Sequence, residues 1–341
     1  MSSSSSIEPT VQPPHLTSGE SAGRRLSPTA KLVRNRLVAS VVLLFVVSTL
    51  SFVLLALTPG DPARAIVGLN ASKRSYELVR EELHLDDPIY TQYWSWLKNA
   101  VQGDFGTSIV TEESVLSSIE ARLPTTLSLV IGAISVSVLI GTLLGTLSAV
   151  KGGSFAKVVD TLSLGAFALP EFWLAAILIA VFAVDLSWFP ATGYVEFVQS
   201  PSGWLSSLVL PVTALSLAGI AMIAKQTREA MLDSLASEHI RVAWATGISP
   251  TSIVFRHAFR GAAISVLTVA ALLFIGLLGG SVLVEAVFAL PGVGSLAVAA
   301  ASRHDLLMIQ GVVVCFTCFI VVVNLIVDLL YLWLDPRVRL K

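Results

Sequence analysis

Residues 237–260 read SEHIRVAWATGISPTSIVFRHAFR. This polar, partly basic stretch lies between two long apolar runs, at about 205–224 and 262–284. Ile240, Ala243, Trp244, Gly247 and Ile248 recur at helical spacing and fall on one face of a short helix. Gly247 suits a helix stop, because glycine adopts the left-handed conformation that a C-cap needs. Ser249-Pro250 then reads as an N-cap followed by proline in the first helical turn. The spacing predicts helix, sharp turn, helix, on the membrane side that carries the neighbouring basic residues. Two roles fit such a segment on its residues alone. It can rest on lipid headgroups as a basic amphipathic helix, or it can dock another protein.

The flanking runs set the class. The chain has 341 residues, 54% of them hydrophobic and 13% charged, a balance that excludes a soluble protein of this size. The net charge of −1 gives no pointer to nucleic acid. No glycine is followed by lysine, so a phosphate-binding P-loop is absent from the sequence. Cys315 and Cys318 are the only cysteines and provide no disulfide framework. They share a helix face inside a span and read as small buried hydrophobes.

Residues 1–36 hold a serine run, four prolines and five basic residues, the composition of a disordered cytoplasmic tail. Arg24-Arg25 raises a twin-arginine export signal, but the apolar run after it is too long for a signal peptide. Apolar spans are predicted at 37–57, 126–150, 159–183, 205–224, 262–284 and 312–333. At about 1.5 Å per residue, the first covers about 31 Å, enough for the hydrocarbon core. Pro170 and Pro211 fall inside the third and fourth spans, and Gly276, Gly279 and Gly280 inside the fifth. With both termini cytoplasmic, 15 of the 22 Lys and Arg residues face inward, and most of the others fall in the long loop 58–125. The expected fold is therefore an all-α membrane protein with six transmembrane helices, both termini cytoplasmic, and a long external loop after the first span.

Within that loop Asp87-Pro88 reads as a helix start. Ile89, Tyr93, Trp96 and Leu97 then line one face. The helix is either interfacial, with its aromatics among headgroups, or a platform for an external partner. Three carboxylates sit within or beside spans: Asp160, Glu171 and Asp328. Charge at that depth is costly, so such groups face protein or water. Glu171, next to Phe172, is the deepest. It is either bonded to a neighbouring helix or exposed on a translocation path. Asp160 and Asp328 lie nearer the cytoplasmic ends, where pairing with arginine is the simpler reading. His304-Asp305 belongs to the last external loop and reads as solvated rather than as a proton relay. His239 and His257 lack the companions of a metal site. No nucleophile elbow or zinc-protease motif occurs. An intramembrane protease would have to use Ser295 and His304, both outside the spans.

Several motifs in order carry a family resemblance. Arg241–Ser249 followed by Arg256-His257-Ala258 resembles the cytoplasmic coupling loop of bacterial ABC importers, closest to the peptide permeases. The shared core is Ala243, Ala245 and Gly247. The glutamate that opens this loop in the wider superfamily is replaced by Arg241. Leu57–Pro62, Gly103–Ser108, Arg122–Leu127, Glu285–Phe288, Pro291–Gly294 and Asp335–Arg339 are also similar to marks of the peptide permeases. The resemblance covers about residue 37 to the C-terminus and leaves out only the tail.

It implies a transmembrane domain over 37–341, with a coupling loop at 228–260. It also implies a transport subunit of the bacterial cytoplasmic membrane, with no catalytic residues and no cofactor of its own. ATP and magnesium would sit on partner subunits. The expected partners are a second homologous permease, two cytoplasmic ATPases and an external solute-binding protein, with peptide as cargo. Nickel chelates or another small solute are the alternative cargo. Ile240, Arg241, Ala243, Trp244, Ala245, Gly247 and Ile248 are the expected ATPase-coupling residues. Glu171, Phe172, Asp160 and Asp328 are the candidate path residues.

Overall fold

The computed structural model describes residues 28–57, 62–68, 72–82 and 85–334. Thirteen α-helices are seen among them: α1 (Pro28–Leu57), α2 (Pro62–Val67), α3 (Lys73–Glu82), α4 (Ile89–Ala100), α5 (Val115–Lys151), α6 (Gly153–Ala168), α7 (Glu171–Leu178), α8 (Pro201–Ala236), α9 (Glu238–Ala245), α10 (Pro250–Ser252), α11 (Phe259–Val287), α12 (Val293–Ser302) and α13 (Leu306–Leu334). Two π-helical segments, Ile179–Asp185 and Ile253–Ala258, follow α7 and α10.

Five helices are long and apolar enough to cross a membrane, and α6 with α7 and its π-helical extension counts as a sixth, bent crossing when the pair is taken as one span. That crossing departs from the single span predicted at 159–183. Its halves meet at 100°. The cause is local: Leu169 is extended ahead of Pro170, because proline disfavours a helical residue before it. The other spans outgrow their predicted limits. α5 begins at Val115, inside the stretch expected to be loop, because Val115 and Ile119 bury against Val293, Leu296 and Val312. α1 begins at Pro28, so Pro28–Arg36 is helical rather than tail. Arg36 there forms an ion pair with Asp328 of α13 at 2.8 Å. Residues 1–27, 58–61 and 335–341, with the motif ends they carry, lie outside the described residues.

The bundle is built on α5 and α8, which pack along most of their length. Gly141 and Gly145 of α5, four residues apart, make this possible. A Cβ on Gly141 would sit 2.7 Å from the Ile223 Cβ, and one on Gly145 would strike the Ala224 carbonyl oxygen. From the other side, Gly219 of α8 lies against Ser137, whose hydroxyl donates to the Ser216 carbonyl at 3.1 Å. Gly145→Val is expected to separate these helices, lowering stability by about 1–3 kcal/mol, read as a fall in melting temperature of the purified protein.

α11 packs on α8 and α5, while α1 lies outermost, held mainly by α13 and α4. Polar bonds fix α1: Gln310 of α13 donates to the Ser48 carbonyl at 2.9 Å and accepts from the Ser51 hydroxyl at 2.6 Å. The aromatics on the predicted face of α4 pack inward, while Tyr90 and Trp94 are exposed. Tyr93 and Trp96 are buried on α1 and Phe105, with the Tyr93 hydroxyl bonded to Ser48 and Thr49. These contacts place the starts of α5 and α13 at the α4 end. They place Pro28, the ends of α8 and α13, and α9 at the opposite end.

Candidate coupling site and buried carboxylates

α8 runs on past its apolar section and stops at Ser237, whose extended backbone turns the chain into α9. α9 ends at a turn in which Gly247 has φ +78°. An L-residue at that angle is strained, as the sequence anticipated. Ser249 is the next N-cap, its hydroxyl accepting from the Ser252 N–H at 3.4 Å, with Pro250 opening α10. The chain then passes through Ile253–Ala258 directly into α11. The expected helix–turn–helix is present, and it joins two spans without an intervening loop.

The predicted face does not act as one surface. Ile240 and Ala243 turn inward, 0% and 7% exposed, into a small core with Met231, Ile253, Ala258 and Ala262; Ile248 packs on its margin. Trp244 is 50% exposed, and Arg241, Val242, Ala245 and Gly247 are exposed beside it. The reason is geometric. An eight-residue helix crossing the ends of α8 and α11 must bury one side on them, which leaves the opposite side for any partner. So Ile240 and Ala243 hold the helix to the spans, and the outward surface is carried by Arg241, Val242, Trp244, Ala245 and Gly247. Ile240→Ala should remove about 2–5 kcal/mol from this small core, measurable as faster proteolysis near residue 245.

The carboxylates separate. Asp160 accepts from Arg228 Nη1 at 2.8 Å, tying α6 to α8. Asp328 is held by Arg36, so both have the arginine partners that the simpler reading expected. Glu171 has no hydrogen bond or ion pair among the described residues. It is half-buried at the start of α7, against Gly280 of α11, where a Cβ would collide with its carboxylate. Phe172 beside it is 49% exposed. Of the four path candidates, Glu171 and Phe172 therefore remain available.

A fourth carboxylate escaped the sequence reading. Glu285 falls just past the predicted span end at 284, but α11 continues to Val287 and buries it completely. Its carboxylate accepts from the Thr126 hydroxyl at 2.7 Å, from the Ser295 N–H at 2.8 Å and from the Gly294 N–H. Thr126 in turn accepts from the Val293 N–H at 2.8 Å. Glu285 thus caps the start of α12 and locks it to α5. Gly292 and Gly294 let the backbone come this close; a Cβ on either would meet the carboxylate. The clasp joins three of the quoted motifs: Arg122–Leu127, Glu285–Phe288 and Pro291–Gly294.

Asp305 is likewise buried rather than solvated. It accepts from the Ser108 hydroxyl and from the Met308 N–H, fixing the Gly103–Ser108 turn to the start of α13. The Ser295 hydroxyl donates to the Gly292 carbonyl at 2.8 Å, as a helix-end residue does. No group of three or more potential metal ligands occurs among the described residues.

A family profile described as "Binding-protein-dependent transport system inner membrane component" matches residues 137–340, and its N-terminal companion matches residues 30–130. The chain belongs to this family. The permease is a multi-pass protein of the cytoplasmic membrane and a component of an ABC transporter, not an enzyme. Such a component works with ATPase and binding-protein partners. It is 40% identical over 309 residues to a protein of Brucella abortus (strain 2308) named as a peptide transport system permease, covering 90% of this chain and 98% of the relative. Over 310 residues it is 38% identical to the glutathione transport system permease protein of Escherichia coli (strain K12), covering 91% and 99%. A peptide ABC transporter permease protein of Sinorhizobium fredii is 38% identical over 308 residues, covering 90% and 98%.

Proposed function

We propose that the permease forms half of the translocation path of an ATP-driven peptide importer. It pairs with a second homologous permease, two cytoplasmic ATPases and an external solute-binding lipoprotein. The α9 end faces the cytoplasm, as the lysine and arginine distribution favours. One observation carries the reading: α9 exposes Trp244 and Val242 at the end of the bundle, while its other side is packed on the helices that must move. Nucleotide and magnesium belong to the ATPases, and this chain holds no cofactor of its own. When the ATPases close, a seated α9 transmits the motion through its core to α8 and α11. The bundle then exchanges inward-open and outward-open states, the bistable element that such coupling requires.

Peptide is favoured over nickel chelates because the relatives described above carry peptide and glutathione names. The test is uptake by liposomes holding the full complex. ATP-dependent accumulation of di- to oligopeptides, lost when the ATPases are omitted, is the expected result. Uptake by the permease alone, or of nickel chelates but no peptide, would overturn it.

Glu171 is the path group in this scheme. A carboxylate with no partner among the described residues, set where two helix segments meet, suits the positive end of a passing peptide. Glu171→Gln is expected to slow uptake of peptides with free amino termini by about tenfold, the weight of one lost charged hydrogen bond. Amino-acetylated peptides should change much less. Equal effects on both series would make the residue structural.

A further inference from the structure

At the α9 end, between α9 and the start of α11, lies an open cavity of about 330 Å³ lined by His239, Arg256, His257, Arg260 and Gly261. No carboxylate lines it. Arg256 and Arg260 have no ion-pair or hydrogen-bond partner among the described residues, although both are exposed. The other cytoplasm-end arginines discussed above are paired: Arg36 with Asp328, Arg228 with Asp160, and Arg241 with Glu238. His257 has one ring nitrogen, Nδ1, on the Ser252 carbonyl at 3.1 Å, which leaves its Nε2 uncommitted. Gly261, open in the floor, lies where a Cβ would be 2.8 Å from the Ser234 hydroxyl, a buried oxygen with no partner. The apolar part of α11 begins at Ala262. The cavity therefore lies where the polar start of α11 gives way to its apolar part, beside the exposed ring of Phe255.

We propose that this cavity binds the phosphate of an anionic phospholipid in the cytoplasmic leaflet. The chemistry is that of two guanidinium groups converging on phosphate oxygens, which arginine's fork engages in pairs. A basic pocket between membrane helices on the cytoplasmic side is also a setting that selects anionic headgroups. Neighbouring apolar residues such as Val254 and Phe255 give the acyl chains a surface that a free ion does not need. The bound lipid joins the π-helical segment Ile253–Ala258 to the membrane surface. It thereby steadies the joint between α9 and α11. The inference takes the cytoplasmic side from the orientation proposed above, but its readout is lipid retention and not transport.

The experiment is native mass spectrometry of the full-length permease from nanodiscs of equal phosphatidylglycerol and phosphatidylcholine. Retention of phosphatidylglycerol over phosphatidylcholine is expected. It should fall about 30-fold in an Arg256→Gln/Arg260→Gln variant, roughly fivefold for each charge removed. Lys157→Gln, an exposed lysine of α6 away from the cavity, should not change it. A second readout needs no variant: photoreactive phosphatidylglycerol should label residues 254–261 of the unaltered protein. Equal retention of both lipids, with millimolar inorganic phosphate bound instead, would assign the cavity to a free anion and overturn the lipid. Unchanged retention in the arginine variant, with loss of ATPase co-purification, would assign it to a protein partner and overturn the proposal. Labelling confined to other segments would overturn it as well.

Discussion

Gly247→Trp is expected to abolish peptide uptake while the protein reaches the membrane at its normal level. The backbone at this position has φ +78°, and a Cβ there meets nothing within 4 Å. The indole therefore projects outward from the turn instead of into the small core beneath α9. It obstructs whatever surface seats the helix. Any side chain at this φ also costs about 1–2 kcal/mol of backbone strain, which by itself loosens the turn. Gly247→Asn separates the two effects, since asparagine tolerates the left-handed region with little bulk. Uptake and ATPase co-purification should survive in the asparagine variant and fall at least tenfold in the tryptophan variant. Normal uptake by Gly247→Trp would remove α9 from coupling.

The second large effect is expected at Glu285, far from α9. Glu285→Ala leaves the Thr126 hydroxyl and the N–H groups of Gly294 and Ser295 without their acceptor in a fully buried site. Each buried donor left without an acceptor costs about 1–3 kcal/mol, and three are left here. Thr126→Val removes a single hydroxyl that both donates to Glu285 and accepts from Val293 N–H, and should cost about 1–3 kcal/mol. Because the two residues share a bond, their effects should be less than additive in the double variant. Thermal unfolding of the purified permease measures all three. Independent, additive effects would mean that the clasp does not act as a unit.

Much of this molecule could be read from residue order. The alternation of long apolar runs with basic segments located the five long apolar helices and the bent pair. Gly247 and Ser249-Pro250 set the turn after α9, because they answer to local backbone rules that operate within a few residues. The arginine partners of Asp160 and Asp328 followed from depth alone. Other features were not local. Whether Ile240 or Trp244 faces the bundle depends on where α8 and α11 end, and helical spacing puts both on overlapping faces. Glu285 was hidden for a related reason: its burial depends on α12 folding back through Gly292 and Gly294. Asp305 reads as solvated from sequence because the hydroxyl that donates to it, on Ser108, is nearly two hundred residues away.

Composition and hydropathy by themselves determined a polytopic helical membrane protein, its approximate spans and a small helix outside them, since transfer into lipid is governed by each segment's own side chains. Tertiary structure alone decided which side of that small helix is free, which of the three span carboxylates lacks a partner among the described residues, and how the opposite end is locked. Those outcomes arise from close approach between distant segments. Glycines at 145, 280, 292 and 294 permit that approach, and no single stretch of sequence contains both of its sides.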